Sequence, residues 1–540
     1  MNDRTMKNKV MAGPFAAIKG IVVSVNLCSR TWNVRTCVTA VFYFLLALSG
    51  GFILNSSARN IDEQTAPGNQ PPSPTQESPS VTERIKRVEN SLLPPFVIKG
   101  QPSVQMKLAD RMKFYTTPGV SIAVIDKGRV QWARGNGVRE TGGSEAITPE
   151  TLFQAASISK PVAAVAALRL VQQGKLDLDE DVNRKLTSWK LPENEFTSER
   201  KVTLRGLLSH SAGLTVHGFA GYASDEPAPT LVQVLDGVKP ANSKPIRVDI
   251  APGIKYRYAG GGYVVLQQLL LDVTGKQFPL LMQETVLNKI RVTHSTYEQP
   301  LPKEFWSNAA VGHGSNGEKV KGKWHTYPEM AAAGLWATPT DLARLAIEIQ
   351  RSLSGKSIRV LSQDIVRQML TPQLGGWGLG FGLTGKGPSA SFSHGGANEG
   401  YQCRLVAYNH TGQGAVVMTN SDRGSLLAEE VLRSIAREYG WVDYLPKEKV
   451  LAQVSPKIYD SYAGQYELAP NFILTITADE GKLMAHATGQ PKLALFPESE
   501  TQFFLIVAAA EITFVRDEKG QVTHLILRQG GQDTTAKKIK

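Results

Sequence analysis

The residues whose types and spacing first suggest chemistry are Ser157 and Lys160, in the run LFQAASISKPVAAVAALRLV. Three positions apart at the start of an apolar helix, the two side chains share one face, so a lysine amine can approach a serine hydroxyl and take its proton. Pro161 sharpens the placement. Proline is tolerated in a helix where its missing N–H would be unpaired anyway, within the first turn, which puts Ser157 at the N-terminus. There the dipole and the free backbone N–H groups favour developing negative charge. The spacing alone says little, since ordinary serine and lysine frequencies give roughly two such matches in a chain this long. The second match is Ser198 and Lys201, in TSERK. That string is charged and precedes a short strand, so nothing desolvates its lysine and it reads as surface. Lys160, on the core side of an apolar helix, needs a partner and shifts its pKa readily.

Further strings follow in order. SISK is succeeded by LLSHSAGL (Leu207 to Leu214), PGIKYRYAGGGY (Pro252 to Tyr263), AAAGLWATPTDLARLA and FSHGGANEGY, with 101 residues from Ser157 to Tyr258 and 136 from there to His394. On these motifs the chain, over roughly residues 100 to 440, resembles the penicillin-recognising serine hydrolases. The resemblance is to the group of class C β-lactamases, D-alanyl-D-alanine peptidases, D-aminopeptidases and related esterases. It implies a role for Tyr258, aligned with the tyrosine of that family's Tyr-x-Asn motif, whose phenol exchanges a proton with the serine or the leaving group where cations lower its pKa. It also implies an oxyanion hole made by the backbone N–H groups of Ser157 and Ala397, the latter on an edge strand just beyond His394-Gly395-Gly396. Gly260, His394, Gly395 and Gly396 fall at its substrate-binding positions. Two of these depart from the family pattern: Gly260 stands where the second motif has Asn, and His394-Gly395 where the third has Lys-Thr. A histidine there is expected to be partly charged near neutral pH, and glycine offers no hydroxyl for a substrate carboxylate. The pattern therefore fits the esterase, D-amino-acid peptidase or amidase branches better than efficient β-lactam hydrolysis.

Competing signals are poor. Gly-x-Ser-x-Gly does not occur, which disfavours an α/β-hydrolase elbow. The Gly-x-Gly-x-x-Gly from Gly380 to Gly385 is followed by KGPSAS and not by a helix, so it reads as a glycine-rich strand and turn. No His-Glu-x-x-His or Cys/His cluster is present, so neither a metal nor another cofactor is expected. His210, His217 and His325 are isolated and read as structural. Cys403, within YQCRLVAY, reads as a small buried hydrophobe. The formal charge is +12, but six basic residues and one acid lie in the first 36 positions, leaving +7 for the rest. With no basic cluster interleaved with aromatics elsewhere, nucleic-acid binding is not expected.

These residues need elements to position them. Residues 1–58 form a leader in which CVTAVFYFLLALSGGFIL (37–54) is uncharged and follows Arg30 and Arg35, an export signal or a membrane anchor. Residues 59–85 are rich in Pro, Ser and Gln and read as a linker, with ordered sequence starting near Thr82. Residues 86–445 are the catalytic domain. Its strands VSIAVIDKG and RVQWARGNGV at one end, and SFSHGG, YQCRLVAY and GAVVMTNSD at the other, are expected to share one antiparallel sheet, with a mainly helical region inserted between them. Residues 446–540 alternate in short segments separated by turn residues and read as an all-β barrel or sandwich.

The fold expected is α/β (α+β), a β-lactamase-like domain with an antiparallel sheet and a helical subdomain, plus the small C-terminal β module. The activity expected is that of an exported serine hydrolase, periplasmic or extracellular, held to the cytoplasmic membrane if residues 37–54 are retained. It would act on an ester, amide or D-amino-acid peptide, a small molecule or peptide of which the cell wall is one source. The alternatives are a β-lactamase or D-Ala-D-Ala carboxypeptidase proper, and a non-catalytic envelope protein that binds through the cleft or the β module.

Overall fold

The computed structural model describes residues 79–540, apart from 471, 491, 508–509 and 530–531. The expected leader, its apolar segment 37–54 and the linker as far as residue 78 lie outside the described residues. Among the described residues no helix is long and apolar enough to cross a membrane. The last positions of the expected linker, 79–85, are the first half of helix α1 (Pro79–Asn90). Val81, Ile85 and Val88 repeat at helical spacing, and Ile85 and Val88 are buried in one core with Leu427 and Val431.

The part expected to be catalytic is organised by a six-stranded antiparallel sheet. Its strands are β1 (Gly119–Asp126), β2 (Arg129–Gly137), β3 (Gly382–Thr384), β4 (Ser391–Asn398), β5 (Tyr401–Tyr408) and β6 (Gly414–Thr419). They lie side by side in the order β2-β1-β6-β5-β4-β3. The chain leaves the sheet after β2, one terminal strand, and returns at β3, the other, so the helical region is inserted between two parts of one sheet, as the patterning predicts. β1 and β6 are buried on both faces because each alternates between two cores. Ala123, Ile125, Val416 and Met418 pack into the larger core, which contains helix α6 (Pro339–Leu353). Ile122, Val124, Ala415 and Val417 pack into the other, with helix α7 (Gly424–Tyr439). The period-2 geometry of a strand divides its apolar residues between two helical layers.

Two capping devices fix helices that matter below. Thr338 accepts a hydrogen bond from the Asp341 N–H, and Pro339 occupies the first turn of α6. α7 ends at Gly440 in the left-handed conformation.

The C-terminal module is a closed barrel of eight antiparallel strands, β7 (Gly464–Ala469), β8 (Phe472–Asp479), β9 (Lys482–Ala487), β10 (Leu493–Pro497), β11 (Gln502–Leu505), β12 (Ala510–Arg516), β13 (Val522–Gln529) and β14 (Gln532–Lys538). Closure through the β7–β14 pairing leaves no open sheet edge. Its core holds Tyr462 stacked on Phe514 at 4.2 Å, with Phe503 edge-on to both. The barrel is fastened to the catalytic part. Phe96–Ile98 and Lys447–Lys449 pair as parallel strands, Phe96 meets the barrel's Phe504 edge-on, and the Lys449 ammonium binds Glu498 and Glu511.

Candidate active site

Ser157 lies on a 3-10 turn (Ala156–Ile158) that runs directly into helix α3 (Ser159–Gln172). Pro161 is the third residue of that helix, inside its first turn. The turn is held at several points. The Ser159 hydroxyl donates to the Ala156 carbonyl at 2.6 Å and accepts from the Leu335 N–H, and the Ala155 N–H bonds the Leu335 carbonyl. Ala156 has φ +50°, a left-handed conformation that is uncommon for alanine and costs about 1–3 kcal/mol. These bonds maintain it, and it sets the direction of the next side chain, Ser157.

Lys160 is 2 % exposed, and its Nζ sits 2.9 Å from Ser157 Oγ while donating to the Ala332 carbonyl at 2.8 Å. That carbonyl belongs to the one-turn helix α5 (Met330–Ala333). The π faces of Tyr258 and Tyr263 flank the amine at 5.1 and 5.8 Å. Neither hydrogen-bond partner of the amine is a carboxylate, so burial is uncompensated and brings the Lys160 pKa down to about 7. A neutral amine here has a free lone pair facing the serine hydroxyl.

Tyr258 is half-buried and hydrogen-bonded to Ser157. Here the structure differs from expectation. Burial raises the phenol well above its usual range, and the hydrogen bond to Ser157 offsets this only in part. Tyr258 is held as a phenol, suited to donating a proton and not to removing one. Its ring is packed against His210 at 4.2 Å and His217 at 5.0 Å between centroids. Two of the three histidines that look isolated in the sequence thus meet at Tyr258. His210 is buried and accepts from the Ala259 N–H. His325 lies elsewhere, its ring bonded to the Ala220 carbonyl.

His394 is also corrected. It is buried, its Nδ1 donates to the Gly395 carbonyl at 2.6 Å, and Nε2 has no partner. Burial, reinforced by Lys160, lowers its pKa to about 3, so it is a neutral imidazole at every ordinary pH and not a partial cation. Trp377 packs edge-on to it at 5.5 Å.

Strand β4 presents the rest of the site. β3 pairs only with Ser391–Ser393, so from His394 to Asn398 the outer edge of β4 lacks a strand partner, although β4 is not the terminal strand of the sheet. This edge runs against the turn that carries Ser157. At Gly396 the approach is so close that a Cβ would stand 2.3 Å from the Ala155 carbonyl oxygen. Asn398 locks the two together through Gln154 and the Ala333 carbonyl. Ala397 points to the opposite face and is exposed in the cleft. Gly395 is spanned by the guanidinium of Arg404, its cross-strand partner, which lies 3.0 Å from where a Cβ would be.

Gly260 opens helix α4 (Gly260–Thr274). Its place as a substrate contact is taken over by a loop. The N–H groups of Gly260 and Gly261, unpaired within the helix, bond the carbonyls of His217 and Val216. A Cβ at Gly260 would lie 3.0 Å from both the His217 oxygen and the Phe219 ring, so the loop fills the volume that an Asn side chain would need. His217 and Phe219 line the cleft in its stead.

The residues that sequence reasoning missed are these loop positions, Trp377, Arg404 and part of the barrel. Gly-Gly-Gly at 260–262 was the available signal for the loop, since such a run at a helix start marks a close backbone neighbour. Cys403 is buried, with its thiol pushed up to about 12, as a packing residue is. Among the described residues no group of three His, Cys, Asp or Glu is placed to hold a metal ion.

A family model described as Beta-lactamase matches residues 104–438, and one described as a domain of unknown function, DUF3471, matches 448–538. Penicillin-binding protein 4* of Bacillus subtilis is 22 % identical over 442 residues, covering 76 % of this chain and 93 % of its own. Teichoic acid D-alanine hydrolase of Staphylococcus aureus is 22 % identical over 231 residues, 43 % of this chain and 54 % of that protein. The octameric penicillin-binding protein homologue from Pyrococcus abyssi shares the fold, with a TM-score of 0.54 at 22 % identity over 80 % of this chain and 98 % of that one. With more than half of its length matched, the chain belongs to the Beta-lactamase family of serine hydrolases.

Proposed function

We propose that this protein is an exported serine hydrolase that forms an acyl-enzyme at Ser157 and acts on an ester, an amide or a D-amino-acid peptide. The observation that carries this is the buried Lys160 amine, 2.9 Å from Ser157 Oγ, with its pKa near 7. Neutral Lys160 takes the hydroxyl proton as Oγ bonds to the substrate carbonyl carbon. The Ser157 and Ala397 N–H groups hold the resulting oxyanion. As the bond to the leaving group breaks, Tyr258 passes its proton to that group and recovers one from Lys160. Water then attacks the acyl carbon as Lys160 accepts its proton, and Lys160 returns that proton to Ser157 Oγ as the acyl–Oγ bond breaks. Nothing in these steps calls for a cofactor.

A neutral His394 and a loop in place of the Asn side chain support esters and amides over β-lactams as substrates. A relative named as a D-alanine hydrolase supports the D-amino-acid branch. The test is labelling with a fluorophosphonate probe alongside a panel of p-nitrophenyl esters, D-aminoacyl amides and a chromogenic cephalosporin. Labelling should vanish in Ser157→Ala and persist in Ser198→Ala, with short-ester hydrolysis above cephalosporin hydrolysis. Pure folded protein that takes no label and turns over no substrate would leave a binding protein on a hydrolase fold. Export is checked by fractionating cells that express the full chain.

A further inference from the structure

The cavity that contains Ser157 measures about 1450 Å³, more than the few hundred Å³ that commonly suffice for a small ligand. A p-nitrophenyl ester or a D-aminoacyl amide would occupy a fraction of it. The cavity does not end at the catalytic domain: Gln490, Leu493, Val507, Leu527, Gln529 and Thr534 of the barrel also line it.

These six cluster at one end of the barrel. Strands β9, β11 and β13 end there and strands β10, β12 and β14 begin there, because each strand reverses the direction of the one before. Four of the six face the barrel interior by register. Leu527 is paired with both Ile512 and Thr534, Gln529 with Ala510, and Leu493 with Ala485, and cross-strand partners share a face. Ile512, Ala510 and Ala485 are buried in the barrel core, whereas Leu493 and Leu527 are half-buried and Gln529 and Thr534 exposed. They form the rim of a shallow cup whose floor is closed by the aromatic core described above. The cup has apolar walls and a neutral polar lip, and none of the six lining residues is charged. Its orientation is set by the Phe96–Phe504 contact, the parallel strand pair and the Lys449 ion pairs.

We propose that the open end of the barrel is the far wall of the substrate site and seats an uncharged apolar chain of the substrate, remote from the scissile bond. This rests on the hydrolase reading for the position of that bond and supplies what it lacks, a substrate class: esters or amides bearing a chain that reaches across the cleft. A chain on either side of the scissile bond has the same chemistry in the cup, and the experiment separates the two sides.

Hydrolysis is followed for two series in the full chain, p-nitrophenyl esters lengthened from acetate to decanoate, and n-alkyl acetates lengthened on the alcohol side. In parallel, binding of the neutral probe N-octyl dansylamide is measured by its fluorescence. In one series kcat/KM should rise at least tenfold with chain length. The rise should be lost in Leu527→Gln and in Thr534→Arg, and probe affinity should fall at least fivefold in both. Thr534 is exposed, so that variant does not depend on repacking the barrel core. Lys482→Ala, at the opposite end of the barrel, should leave the chain-length rise in place. If neither series rises, or if the rise and the probe affinity survive both rim substitutions, the barrel proposal is wrong. Absence of acetate hydrolysis together with absence of fluorophosphonate labelling sinks the hydrolase reading instead, and the probe measurement still decides the cup.

Discussion

Two regions of this molecule carry the same spacing of the same residues. At Ser157 and Lys160 the amine is 2 % exposed, 2.9 Å from the hydroxyl, and bonded to the Ala332 carbonyl. At Ser198 and Lys201 the hydroxyl donates to the Glu195 carbonyl and the ammonium is paired with Glu193, both in solvent. The difference is environment. The exposed ion pair contributes at most about 1 kcal/mol. A buried lysine whose acceptors are a hydroxyl and a carbonyl has its charge penalised, and that penalty makes it a base near neutral pH.

The strongest way to break this contrast is to remove the buried amine. Lys160→Ala should lower kcat/KM for a good ester by about 10³-fold or more, with near-native thermal unfolding showing that the loss is chemical. A similar loss in Lys201→Ala would mean that environment does not distinguish the pairs. Next in size is the approach of β4 to the nucleophile turn. Gly396→Ala places a methyl group 2.3 Å from the Ala155 carbonyl oxygen, so strand and turn must separate, and an activity loss of about 10²-fold is expected.

The pH profile sharpens the comparison further. Only unprotonated Lys160 can take the serine proton, so kcat/KM should fall about tenfold per unit below the apparent pKa of about 7 and level off above it. Tyr258 is raised and His394 is already neutral above about 3, so neither should add a second limb between pH 7 and 9. A fall from pH 7 to 9 would show that Tyr258 loses in that range a proton that catalysis needs, and a further rise would show that it acts as phenolate. Gly260→Asn, which restores the side chain usual in the second motif, should hurt and not help. The amide must displace the 217–219 loop, at a cost of about 1–3 kcal/mol in unfolding experiments. At the bottom of the scale, Ser198→Ala and Lys201→Ala should each change stability by less than about 0.5 kcal/mol and leave ester hydrolysis unaltered.

Much of the architecture was legible because apolar periodicity reports burial directly. The sheet strands at both ends of the insertion, the nucleophile helix and most of the barrel strands alternate as their geometry demands. The closing strand β14, QDTTAKK, was not legible. Among its residues of described burial the one buried is Ala536, too small to register as a hydrophobic pattern, and only pairing with β7 and β13 makes it a strand. The start of α1 was masked by the Pro and Ser residues before it.

The placement of Lys160 beside Ser157 was legible in the spacing and in the order of the motifs, and the charge states of the residues around them were not. The partial charge expected of His394 came from residue type, and the proton exchange expected of Tyr258 from the family resemblance. Their states follow from how completely each is desolvated and which charges face it, and neither quantity is local in sequence.

What the sequence by itself determined is the register of side chains along each element: Ser157 and Lys160 on one helix face, and Pro161 in its first turn. These depend on residues a few positions apart and on backbone sterics. Only the tertiary structure decided which of the two serine–lysine pairs is dry, that the 217–219 loop takes the volume opened at Gly260, and that a barrel 300 residues away forms one wall of the cleft. Desolvation, close approach and shared cavities arise between segments distant in the chain, and packing alone brings those together.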